Sequence, residues 1–248
     1  MNPQRDLPEE QRGGGFATTH WSLVLRAGQG GDAAAEASLA ALCERYWFPV
    51  YAYTRRRGYD AHQAQDLTQE FFVRILEKNV LAAASPERGR FRSFLLTSAK
   101  NFLANAWDRE QAEKRGGGRR PLSFDAAAGE SRLALDPADH LTPDKVFERQ
   151  WALTLLETVV ARVQEEFALA GKERHFALLK GALSGERAFS SYAAAAAELG
   201  VSEGAARQAA HRLRKRYREL LRQEIAHTVA DPSDVDEEIR SLFQALGT

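Results

Sequence analysis

The chain has 248 residues, with 34 Lys and Arg against 34 Asp and Glu, so its formal net charge is zero. Overall charge therefore argues neither for nor against a nucleic-acid partner; only its distribution along the chain can. A single cysteine, Cys43, excludes a disulfide framework and a metal site built on cysteines.

Apolar residues recur at intervals of three and four and strand signals are nearly absent, which predicts an all-α protein. Residues 1–32 read as an N-terminal extension. It is polar and Gly-rich at first, with a short helix from Thr18 or Thr19 that carries Trp21, Leu23, Val24 and Leu25. It has no apolar core of signal-peptide type, and no run of 18 apolar residues occurs, so a cytoplasmic protein without membrane insertion is expected.

A first compact block spans 33–113, with helices at 33–57, ended by Gly58, at 60–78 behind Asp60, and at 90–113. In the third, Phe91, Leu95, Phe102 and Ala106 share one face, and Leu96, Leu103 and Trp107 form a second apolar strip. Between them Ser93, Thr97, Asn101, Ala104 and Asp108 leave a narrow polar strip with Lys100 at its edge. Such a helix is buried on two sides and has one strip free for a partner.

Residues 114–144, KRGGGRRPLSFDAAAGESRLALDPADHLTPD, hold three consecutive glycines and three prolines and read as a linker. A second helical block covers 145–226, with helices near 145–170, 172–184, 190–199 and 203–226. A C-terminal amphipathic extension, 227–248, follows. Ser233 and Asp236 suggest a capping box there, and Val235, Ile239, Leu242, Phe243 and Leu246 line one side. The expected architecture is two small helical domains joined by a long linker.

Within 190–222, SSYAAAAAELGVSEGAARQAAHRLRKRYRELLR, Gly200 can end one helix in the left-handed conformation and Ser202 can cap the next. Helix, three-residue turn with glycine, helix is the helix-turn-helix pattern. Ala195, Ala196 and Leu199 are expected to pack on Ala205, Ala209, Leu213 and Tyr217. Arg207, His211, Arg214, Arg218 and Arg222 then form one basic stripe flanked by Lys215, as contact with DNA phosphates and bases requires.

Over both blocks the chain resembles bacterial RNA polymerase sigma factors of the extracytoplasmic-function type. SYAAAAAELGVSEGAARQAAHRLRKRYRELL is similar to the fourth sigma domain, which reads the minus-thirty-five element. The resemblance implies DNA contacts by Ser202, Glu203, Ala206, Arg207, His211, Arg214, Lys215 and Arg218. DLTQEFFVRILE, 66–77, is similar to the second sigma domain's polymerase-docking helix and implies contacts by Asp66, Gln69, Glu70 and Phe72. FRSFLLTSAKNFLANAWDRE is similar to the segment that melts and captures the minus-ten element. There the resemblance implies phosphate contacts by Arg88, Arg90 and Arg92, and a path for the melted strand along Thr97, Lys100, Asn101 and Asn105.

Core RNA polymerase and promoter DNA are the implied partners, with an anti-sigma factor or a Ser/Thr kinase as further candidates. The family usually carries a run of acids just before the docking helix, where this chain reads Gln63-Ala64-Gln65-Asp66. A phosphate on Thr68 or Thr54 would restore the missing charge. The competing expectation is a helix-turn-helix regulator that acts without polymerase. An enzyme is not expected: there is no Gly-rich phosphate loop, nucleophile elbow or metal cluster, so neither cofactor nor metal is called for.

Overall fold

The computed structural model describes residues 33–77, 89–112, 125–135, 140–184, 191–229 and 231–247, and every regular element among them is helical. These are α1 (Ala33–Arg56), α2 (Ala61–Glu77), α3 (Phe91–Ala112), α4 (Ala126–Leu135), α5 (Pro143–Leu169), α6 (Glu173–Leu179), α7 (Gly181–Ser184), α8 (Tyr192–Leu199), α9 (Glu203–Ala226) and α10 (Val235–Leu246). A 3₁₀ turn at Pro232–Asp234 precedes α10.

The central layer is α1 against α5. Arg56 near the end of α1 donates to the Leu141 carbonyl at 2.8 Å, just before α5 begins. Further back, Tyr46 sits with Trp151 and Leu155 of α5. α5 starts where it does because Thr142 caps it, accepting from the Lys145 amide, and Pro143 is pre-set for the first helical position. Tyr46, Phe91, Phe147, Trp151, Leu155, Leu213 and Leu242 belong to one continuous core. Tyr46 meets Phe91 edge-on at 5.2 Å, a favoured aromatic geometry. Burying each such side chain contributes roughly 1.5–3 kcal/mol.

The two blocks expected to hang on a tether are therefore packed on each other. Each helix's apolar stripe declares that it must be covered, but not by what. Within the expected linker, residues 126–135 form α4, which docks on the first block. Gly129 allows the close approach, since a Cβ there would lie 3.1 Å from the Tyr51 ring. Glu130 accepts from Tyr51 Oη at 2.7 Å and from Arg55 Nε and Nη2 at 2.7 and 3.0 Å, and Arg132 lies 4.0 Å over the Phe48 ring. The helix expected at 172–184 is broken into α6 and α7. The capping box at Ser233 does not form. Asp231 caps the 3₁₀ turn instead, accepting from the Ser233 amide at 2.8 Å, and α10 begins at Val235.

Candidate functional site

Three surfaces carry the residues singled out from the sequence. On α2, Asp66 and Glu70 are exposed one turn apart, Gln69 is half-buried and His62 Nδ1 lies 3.2 Å from Asp66. Phe72 departs from expectation. At 3% exposure it packs into the core beside Phe71, so it supports this surface from beneath and offers no contact of its own. Thr68 and Thr54 are each 1% exposed, and Thr54 Oγ1 donates to the Val50 carbonyl at 2.9 Å. Neither can receive a phosphate without unfolding its helix. The phosphate switch is thereby overturned, and with it the reason to expect a kinase.

On α3, both apolar strips are buried as far as side chains are described, and Ser93, Thr97, Asn101 and Ala104 form an exposed strip. Thr97 Oγ1 donates to the Ser93 carbonyl at 2.9 Å, and Lys100 pairs with Asp144 of α5 at 2.5 Å. Asn105 is exposed. Arg88 lies outside the described residues. Arg92, expected to meet phosphate, is buried. Its side chain is 6% exposed, its guanidinium stacks 4.2 Å from the Trp151 ring, and Nε meets Glu148 at 2.6 Å. It also pairs with Glu238, whose side chain is fully buried. Burial holds the Arg92 guanidinium below the usual arginine range, opposed by the Glu148 carboxylate.

Arg90 Nη1 approaches Ser241 Oγ at 3.1 Å, Nη2 meets Glu237 at 3.2 Å and Nε meets Glu238 at 2.8 Å. No sequence signal marked Glu148, Glu237 or Glu238 as partners of these arginines. The acidic first turn of α10 suits the basic stripe of α9, which Asp236 reaches at Arg222, but nothing local pointed it at Arg90 and Arg92.

α8 ends at Gly200 with φ 67°, a left-handed conformation that glycine adopts without strain, and Ser202 caps α9 by accepting from the Ala205 amide. The buried seam of α9 is Ala206, Ala210 and Leu213, one position from the expected Ala205 and Ala209. Ala206 is thus wholly covered and cannot reach a partner. Glu203, Arg207, His211, Lys215, Arg218 and Arg222 are exposed. Arg207 pairs with Glu203 at 2.6 Å, which raises its pKa, and lies 5.5 Å over the Tyr192 ring. Arg214 turns away from the stripe, donating to the Ala182 carbonyl at 2.9 Å and to Tyr192 Oη at 2.7 Å. It ties α7, α8 and α9 together.

Residues 42–113, which comprise most of α1 with α2 and α3, match the family model described as sigma-70 region 2. The chain carries a sigma-70 region 2 domain. That domain implies a sigma factor, a non-enzymatic subunit of transcription initiation whose partner is core RNA polymerase. No curated protein and no solved structure matches the chain.

The Asp66 surface and the α3 strip both lie inside the matched region of the sigma factor, whereas α5 to α10 lie beyond it. Cys43, inside the region 2 domain, is 5% exposed, and burial pushes its thiol up to about 12, so it is an inert core residue. Among the described residues no group of three or more His, Cys, Asp or Glu is placed to hold a metal ion, and no helix is long and apolar enough to cross a membrane.

Proposed function

We propose that this sigma factor is of the extracytoplasmic-function type. Its region 2 docks core polymerase through Asp66, Gln69 and Glu70 and meets the melted minus-ten strand along Thr97, Lys100, Asn101 and Asn105. Arg90 contacts phosphate there once its present partners release it, while Arg92 stays packed on Trp151 and braces the site. The block of α5 to α9 reads the minus-thirty-five element as a helix-turn-helix. Ser202, Glu203 and Arg207 lie at the reading end of α9, and His211, Lys215 and Arg218 carry phosphate contacts behind it.

The observation that carries this reading is the exposed basic face of α9 behind a glycine-ended turn, in a chain that also holds region 2. Neither DNA contact needs to be strong alone, because one chain joins them and each raises the effective concentration of the other. A regulator acting without polymerase has no use for a region 2 domain.

The test is a pull-down with core RNA polymerase followed by run-off transcription from genomic promoter fragments. Retention on polymerase and discrete transcripts that vanish in Arg207→Ala are expected. Polymerase-independent binding of duplex DNA with no transcript would overturn the reading.

A further inference from the structure

In the first turn of α10, three consecutive acids each face a basic side chain. Asp236 meets Arg222 of α9 at 2.6 Å, Glu237 meets Arg90 beside α3, and Glu238 meets both Arg90 and Arg92. Arg90 is held wholly from one direction, because Ser241 and the two glutamates of α10 take all its guanidinium nitrogens. Each carboxylate oxygen on these guanidinium groups takes a position that a phosphate oxygen would otherwise take. Leu242, fully buried, and Val235, 6% exposed, pin the helix in place, and Arg149 of α5 donates to the Leu246 carbonyl at 2.6 Å. Lys100 is engaged in parallel by Asp144. Cations from both proposed DNA surfaces are thus occupied from within the chain.

We infer that α10 is a built-in clasp that imitates DNA phosphate and holds the free sigma factor closed, with Glu238 as its buried tooth. It rests on the proposed role of Arg90 and adds its control to it. Phosphate and carboxylate compete for the same nitrogens, so α10 must leave before the strand can bind. Withdrawing Glu238 takes a carboxylate from both Arg90 and Arg92, a cost that a replacement anion offsets. Neither core polymerase nor promoter alone suffices to empty the site; the loaded complex supplies the phosphates.

The test places spin labels at Ala104→Cys on α3 and Gln244→Cys on α10, both exposed, with the buried Cys43 left in place. A single distance is expected in the free protein, giving way to a longer one when core polymerase and a promoter fragment are added. An unchanged distance in a complex that makes run-off transcript overturns the clasp and leaves the proposed function standing. Transcription provides the second arm, with the exposed acids reversed in Asp236→Lys/Glu237→Lys. This variant should reach half-maximal transcription at roughly five- to tenfold lower concentration than the parent chain, while its thermal melt stays close. A parent chain that is silent beside an active variant supports the clasp. Silence of both chains overturns the clasp together with the function it rests on.

Discussion

Glu224 on α9 accepts a hydrogen bond at 3.2 Å from Arg45 on α1, 179 positions earlier in the chain. Arg162 of α5 pairs with the same carboxylate, which is 3% exposed. One acid thus fastens three helices from both halves of the molecule. Glu224→Ala takes away the carboxylate that Arg45 and Arg162 share. Because both are about a third exposed, water takes over part of the loss, and a destabilisation of about 2 kcal/mol is expected by urea titration. A midpoint equal to that of the parent chain would remove Glu224 from the account of closure.

His227, which caps α9, gives the closed form a pH dependence. Burial holds its imidazole below the usual 6.5; Glu224 opposes this, while Arg162 and Arg45 add to it. As pH falls through about 6.5 the unfolded chain takes up the proton first, so this contribution is present above that pH and is lost below it. Glu130 and Glu166 are held low by Arg55 and Arg216, and their contributions are lost only below the usual 4.5. Melting temperature should therefore begin to fall just below pH 6.5, and His227→Gln should flatten that part of the profile alone.

The docking surface separates contact from support. Asp66→Lys, at an exposed position, should abolish retention on core polymerase with circular dichroism unchanged. Phe72→Ala empties core volume and should cost about 3–5 kcal/mol of stability. Similar losses of stability in both variants would show that Asp66 is structural after all.

Thr68 carries a buried hydroxyl with no hydrogen-bond partner. An unsatisfied buried polar atom is a net cost, so Thr68→Val should raise the melting temperature slightly or leave it alone. Thr68→Asp places a charge in the same dry site and should unfold the region 2 domain instead of strengthening polymerase docking. Tighter docking by a folded Thr68→Asp protein would reinstate the phosphate switch.

Two arginines of one helix are expected to behave differently. Arg218→Ala should weaken binding to all duplexes alike and lower the salt slope by about one unit. Arg214→Ala removes the tie to Tyr192 and Ala182 and should lower stability by about 1–3 kcal/mol. Its effect on DNA then follows from misplaced helices, and stability is the measurement that tells the two apart.

The helix ends at Gly200 and Ser202 were legible, and α9 runs from Glu203 to Ala226 as its cap and periodicity indicate, whereas the cap read at Ser233 gave way to Asp231. α4 was not legible. Its ten residues lie between glycine- and proline-rich segments, and it is fixed by long-range partners such as Arg55 and Phe48 that no local pattern announces. At the site, sequence spacing brought out the exposed strip of α3 and most of the stripe of α9. It could not separate Arg90 from Arg92. Both sit among aromatics and basic residues, but only one lies flat on a tryptophan supplied from elsewhere in the chain.

The docked α4 also bridges the two halves, for Arg132 reaches Glu157 of α5 at 2.7 Å. With α4 held on α1 by Glu130 and the Leu141 carbonyl held by Arg56, the entry to α5 is fixed to the end of α1. The two halves are thus fastened on both sides of the turn into α5, and both holds must open before the halves can part.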